Sequence, residues 1–146
     1  MKTALFPGSF DPFSIGHKNI VERGLCLFDN IIIGIGRNIK KKSLYTEEER
    51  QKQIELIFIN SPQISVKIYD TLTVDFAKEV GAEFILRGVR TTQDFEYEQK
   101  IAEANRILTG IETVVLFAEP EKKEISSSLI RELKAFGKDV SDYLPK

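Results

Sequence analysis

The chain has one histidine, His17, and it directly follows Gly16 at the end of the stretch Phe6-Pro7-Gly8-Ser9-Phe10-Asp11-Pro12-Phe13-Ser14-Ile15-Gly16-His17. The apolar run Ala4-Leu5-Phe6 that leads in is short enough to be only a strand, and from Lys18 onward the pattern becomes helical. The stretch is therefore a strand-to-helix corner, in which backbone N–H groups and a helix N-terminus can face an anion. Ser9 and His17 are the side chains there able to hydrogen-bond a phosphate. A histidine without context is more readily explained by helix capping or core packing than by function. Its place in a Pro/Gly-rich corner favours the other reading, a site that handles a nucleotide's phosphate chain.

Two further turns carry matching chemistry. A strand over residues 83–86 delivers Arg87-Gly88-Val89-Arg90 into a turn, where the arginines suit bidentate phosphate binding and Gly88 leaves room for close approach. Ser126-Ser127-Ser128 opens the final helix; a cap needs one hydroxyl, and three beside free helix N–H groups also make an anion cradle. Lys40, Lys41 and Lys42 form a basic loop that solvated surface would explain equally well. Tyr97 fits a helical core stripe, while Glu98 could reach a ribose hydroxyl. The patterns Gly-x4-Gly-Lys-Ser/Thr and Gly-x-Gly-x-x-Gly are both missing from the sequence.

The elements that must position these residues alternate along the chain. A helix over residues 17–28 puts Val21, Leu25 and Phe28 on one face, and the β-branched run within 30–36 reads as a strand buried on both sides. Thr46 and Glu49 spell a capping box for a helix reaching about residue 59. A strand at 64–69, a short helix at 74–80 and the strand at 83–86 follow. Asp94 is expected to cap a long helix with Tyr97, Ile101, Ala104 and Leu108 as its core stripe, stopped by Gly110. A fifth strand, 113–118, precedes the last helix, which Gly137 ends. Alternating βαβα with buried strands predicts one Rossmann-like α/β domain over residues 1–146, a doubly wound parallel sheet of about five strands in the order 3-2-1-4-5. That order would bring the three phosphate-suited turns together beyond the strand ends.

With 21 Lys and Arg against 22 Asp and Glu, the net charge of -1 gives no reason to expect nucleic-acid or membrane binding. The lone Cys26 suits a reducing compartment, the sequence suggests no secretion signal, and a cytoplasmic location is expected. One histidine and one cysteine make no zinc set, so any metal should be carried by the substrate, magnesium on phosphates above all.

Ser14-Ile15-Gly16-His17 resembles the (Thr/His)-x-Gly-His signature of the nucleotidylyltransferase superfamily, and Ile125-Ser126-Ser127-Ser128-Leu129-Ile130-Arg131 resembles its second signature. Pro7 to Pro12, Lys41-Lys42, Thr46 to Arg50, Leu86 to Arg90, Asp94 to Glu98 and Asp139 to Pro145 are similar, in order and spacing, to the bacterial phosphopantetheine adenylyltransferase family. The resemblance implies adenylyl transfer from ATP, with Mg²⁺, to 4′-phosphopantetheine, giving dephospho-coenzyme A and pyrophosphate. It implies that His17 bonds an α-phosphate oxygen and that Lys41 assists there while contacting the acceptor phosphate. Ser9 would orient both substrates, Arg87 would hold the acceptor phosphate, and Thr73 would line the pantetheine arm. Arg90 with Ser126, Ser127 and Ser128 would hold the β- and γ-phosphates. Phe10, Gly88, Val89, Glu98, Lys122, Lys123, Glu124 and Ile125 would complete the ATP site, and the enzyme would be a homohexamer. Ser9 stands where threonine is common, Ser14 where threonine or histidine is usual, and Glu121 to Glu124 lacks an aromatic residue often found there. Another nucleotidylyltransferase, such as one using nicotinamide mononucleotide, and a nucleotide-binding regulatory module are the competing readings.

Overall fold

The strand Thr3–Gly8 (β1) is the centre of the sheet, and its alternation explains why the corner that follows it is held rigidly. Ala4 and Phe6 face one cluster of buried side chains and Leu5 faces another. A computed structural model describes residues 1–37 and 43–146. Lys40, Lys41 and Lys42 lie outside the described residues.

Chain order after β1 is α1 (Ile15–Gly24), β2 (Asn30–Gly36), α2 (Glu47–Ile57), β3 (Ile64–Tyr69), α3 (Thr73–Glu79), β4 (Phe84–Val89), α4 (Thr92–Thr109), β5 (Glu112–Phe117) and α5 (Ser127–Ala135), ending in a short 3-10 turn, Ser141–Tyr143. All strand pairs are parallel and the sheet order is β3-β2-β1-β4-β5, as the alternation of elements predicts. The order reverses between β1 and β4, so the corner after β1 and the turn after β4 lie side by side. Ile20, Val21, Ile54 and Phe58 from α1, α2 and the end of α2 cover one face with Ile31, Ile33 and Ile35 of β2. Val74, Phe76 and Ala77 of α3 cover the other with Leu5, Ile32 and Ile85.

Four details differ from the expectation. The first helix begins at Ile15 with Ser14 as N-cap and closes at Gly24, so Leu25 and Phe28 pack from beyond it. β4 continues through Arg87 and Gly88 to Val89, which places Arg87 on a strand and not in a turn. The cap of α4 is Thr91, whose hydroxyl accepts from the Asp94 N–H; Asp94 instead accepts from the Arg90 N–H. Glu49 meets the Thr46 hydroxyl at 3.2 Å, so only the Thr46 half of the capping box forms.

The stripe expected to fill the core from α4 faces outward. Tyr97 is 64% exposed, Ile101 37% and Leu108 67%, and Ala104 is exposed as well. The inward face runs one residue along, through Asp94, Glu98, Ala102, Asn105 and Thr109. It carries a carboxylate because Arg87, pointing from β4, needs a partner there. Periodicity gives the width and angle of an apolar stripe but not the identity of what covers it.

Candidate active site

At β1's end Gly8 allows the chain to double back. A Cβ there would lie 2.8 Å from the Phe10 ring. Phe10 itself has φ 49°, the left-handed region that costs a bulky residue roughly 1–2 kcal/mol, so its surroundings must hold it. Its ring is buried and meets the His17 ring edge-on, with centroids 5.0 Å apart; Phe13 and Phe6 also adjoin the imidazole, at 5.3 and 6.3 Å. The histidine is thus walled by aromatic side chains, and its orientation is set by α1's cap.

Ser14 N–H donates to His17 Nδ1 at 2.9 Å, while the Ser14 hydroxyl accepts from the His17 N–H. A backbone N–H can only donate, so Nδ1 carries a lone pair and the neutral ring has its proton on Nε2. Partial burial, then the Arg87 and Arg90 charges, push the pKa of His17 down from 6.5 to about 3. Near neutrality His17 is therefore an uncharged Nε2–H donor.

This shift has a consequence for stability. The unfolded chain takes up a proton below pH 6.5 and the folded chain does not until about pH 3, so stability falls as pH falls through that window. The slope is at most about 1.4 kcal/mol per pH unit. Urea denaturation of the wild type and of His17→Gln at pH 7 and pH 5 should show the wild type losing up to about 2 kcal/mol more than the variant over that interval. Equal losses would mean that the ring titrates normally.

Arg87 reaches the site from β4. Its Nε and Nη2 bond the two carboxylate oxygens of Glu98 at 2.9 and 2.7 Å, and Nη1 bonds the Pro7 carbonyl at 2.6 Å. One proton on each Nη remains to meet a ligand. Glu98, whose side chain is 8% exposed, bonds Arg87 through both oxygens and also lines the cavity. Gly88 owes its lack of a side chain to α1: a Cβ would lie 3.0 Å from Ile20 Cγ1. Val89 is buried. Arg90 pairs loosely with Asp94, Nε to Oδ2 at 3.5 Å, and faces the same cavity.

The serines of α5 have divided tasks. Ser126 caps the helix by accepting from Leu129 N–H, Ser127 donates to the Pro12 carbonyl at 2.7 Å, and Ser128 accepts from Arg131 at 3.2 Å. With the Leu129 N–H taken by that cap, the backbone N–H groups of Ser127 and Ser128, which have no intrahelical acceptor, remain available to an anion. Arg131 also donates to the Asp11 carbonyl at 2.7 Å. Sequence reasoning quoted Arg131 in its motif without assigning it a task; its spacing of three residues from Ser128, one helical turn, was the signal.

One cavity of about 330 Å³ joins these groups. Ser9, Phe10, His17, Arg87, Gly88, Val89, Arg90, Glu98, Lys122, Ile125 and Ser126 to Ser128 all line it. Lys122 is turned toward Glu119 at 2.8 Å. Lys123 and Glu124 line a neighbouring surface with Phe95 and Phe117, not this cavity. Thr73 stands apart, its hydroxyl 2.9 Å from the Tyr69 hydroxyl beyond β3. Asp94 and Tyr97 line the cavity too, without having been singled out for it.

A parallel sheet in this order, with a His-bearing corner and a serine-capped helix at its switch point, is a nucleotidyltransferase arrangement, and the cytidylyltransferase-like family model matches residues 5–133. A phosphopantetheine adenylyltransferase of Phocaeicola vulgatus is 52% identical over 146 residues, covering 100% of this chain and 97% of that protein. One of Bacteroides thetaiotaomicron is 51% identical over the same shares. The chain belongs to the cytidylyltransferase-like family and, within it, to the phosphopantetheine adenylyltransferases. Among solved structures, the bifunctional NMN adenylyltransferase/ADP ribose pyrophosphatase of Francisella tularensis superposes with a TM-score of 0.73 at 15% identity, over 99% of this chain. The chain spans 44% of that protein's length, and the likeness is one of fold.

Proposed function

We propose that the chain catalyses reversible transfer of the adenylyl group of ATP to 4′-phosphopantetheine, giving dephospho-coenzyme A and pyrophosphate. The observation that carries this is full-length similarity, at about half of all positions, to proteins named for that activity. The geometry of the cavity supports it. An acceptor phosphate oxygen attacks the α-phosphorus, the bond to the β-phosphate oxygen breaks, and pyrophosphate leaves with the electron pair. The nucleophile is already an anion, so no general base is needed. Catalysis rests on alignment and on stabilising charge at the α-phosphate.

His17 Nε2–H bonds an α-phosphate oxygen as charge builds on it. The two remaining Arg87 N–H groups hold the acceptor phosphate, and Ser9 orients both substrates. Arg90 and the N-terminus of α5 hold the β- and γ-phosphates, with Gly88, Val89, Lys122 and Ile125 along the nucleotide. Lys41 assists at the α-phosphate, and Thr73 lines the pantetheine arm, both by family resemblance. Lys123 and Glu124 border the nucleotide from the adjoining surface. Among the described residues no three His, Cys, Asp or Glu side chains cluster as a metal cage. Magnesium would enter as the companion of ATP, not held by a protein cage, and would supply charge neutralisation at the phosphates that Arg90 and the N-terminus of α5 hold.

A homohexamer is part of the same reading, and the exposed stripe of Tyr97, Ile101 and Leu108 on α4 supports an interface between copies. Among the described residues no helix is long and apolar enough to cross a membrane, in keeping with a cytoplasmic enzyme. The test is pyrophosphate release from MgATP with and without 4′-phosphopantetheine. Release that requires the acceptor is expected; equal turnover with nicotinamide mononucleotide would remove the substrate assignment.

A further inference from the structure

Four polar or charged side chains are buried among the described residues: Asp11, Ser14, Arg50 and Glu98. Ser14 orients His17 and Glu98 orients Arg87. Asp11, 5% exposed, and Arg50, 3% exposed, have no task in the proposed reaction, and burying two charges without one is costly.

Both are spent on the same junction. The Asp11 carboxylate accepts the N–H groups of Leu44 and Tyr45, at 2.8 and 3.0 Å. In the opposite direction Arg50, from α2, donates Nη1 to the Ser9 carbonyl and Nε to the carbonyls of Tyr45 and Thr46. The two residues thus strap the corner after β1 to the segment entering α2. Their attachment points, Ser9 and Asp11, are the neighbours on either side of Phe10, the residue held at φ 49°. A left-handed bulky residue persists only where its surroundings over-determine it. That turn places Ser9 in the cavity and sets the Phe10 ring edge-on to His17.

We infer that Arg50 and Asp11 are positioning residues, which hold the left-handed turn at Phe10 and through it fix Ser9 and His17 against the substrates. Neither lines the cavity, so neither contributes binding contacts of its own. Relaxing the turn misplaces groups that act in the transition state and lowers kcat more than it alters KM. The inference rests on the reaction proposed above for its kinetic consequence but not for its structural one.

The test uses the full chain carrying Arg50→Lys, which keeps the charge and loses the guanidinium fork, and Asp11→Asn, which keeps one acceptor oxygen and loses the other. Circular dichroism fixes a temperature at which each is folded. There, kcat should fall about 10–100-fold, with KM for ATP and for 4′-phosphopantetheine each within about threefold of the wild type. Amide exchange at residues 9–11 should accelerate. A folded variant with wild-type kcat, or with a defect confined to KM, would overturn the inference. If the wild type shows no turnover, the reaction assigned above has failed, and amide exchange decides the brace alone: unchanged protection at residues 9–11 in both variants would refute it.

Discussion

His17→Ala is expected to lower kcat at least ~10²-fold while the protein stays folded, the scale for removing one preorganised donor from a developing oxyanion. Ser14 holds Nδ1 of the ring, through its N–H at 2.9 Å with its hydroxyl at 3.2 Å, which leaves the Nε2 proton for a ligand. Aromatic walls on several sides prevent the ring from turning away, so the donor is already placed when the substrates arrive. Alanine removes the donor, empties space beside Phe10 and takes the acceptor from Ser14 N–H, yet the other half of the α1 cap survives, because the Ser14 hydroxyl still accepts from the backbone N–H at position 17. Steady-state kinetics with circular dichroism would check this, and near-normal turnover would end the assignment. The pH dependence is a second check. With the pKa pushed down to about 3, His17 stays neutral at ordinary assay pH, so kcat should show no acid limb from it between about pH 5 and 8. A limb near pH 6.5 that disappears in His17→Gln would mean that the ring works as an acid or base after all.

The sheet order was legible because alternation of elements and a buried central strand leave few topologies, and the switch-point rule then gathers the turns. β2 and β3 could be bounded to the residue from turn chemistry and β-branched runs. What could not be read was which partner each polar group takes. Glu98 and Arg87 are eleven positions apart in sequence, and only the packing of α4 on β4 makes them a pair. Arg50 closed the family-like stretch Thr46 to Arg50 without a task, since its targets are backbone carbonyls, which leave no mark in a sequence. The α4 stripe failed for a related reason. Its apolar residues follow a helical period, but the sheet side of α4 is fixed by the carboxylate that Arg87 requires, and the stripe turns outward.

The Arg87 and Glu98 pair yields the second large effect. Arg87→Ala removes two charge-assisted hydrogen bonds worth roughly 1.5–3 kcal/mol each, so KM for 4′-phosphopantetheine should rise at least ~10²-fold with KM for ATP little changed. The same substitution leaves the buried Glu98 carboxylate without its partner, which should cost about 1–3 kcal/mol of stability in urea denaturation. Glu98→Ala frees the guanidinium from two of its three anchors, leaving Pro7 alone to hold it. It should therefore reproduce a weaker form of the acceptor defect, about 5–10-fold in KM, because an arginine that must be ordered on binding loses the advantage of preorganisation. The double variant decides how the two act. If Glu98 works through Arg87, the acceptor defect of Arg87→Ala will not grow when Glu98→Ala is added, and the double variant will be more stable than Arg87→Ala, since no buried carboxylate is left unpaired. An additive loss, with KM for ATP rising on removal of Glu98, would instead assign Glu98 to the nucleotide and leave Arg87 to be held by the Pro7 carbonyl.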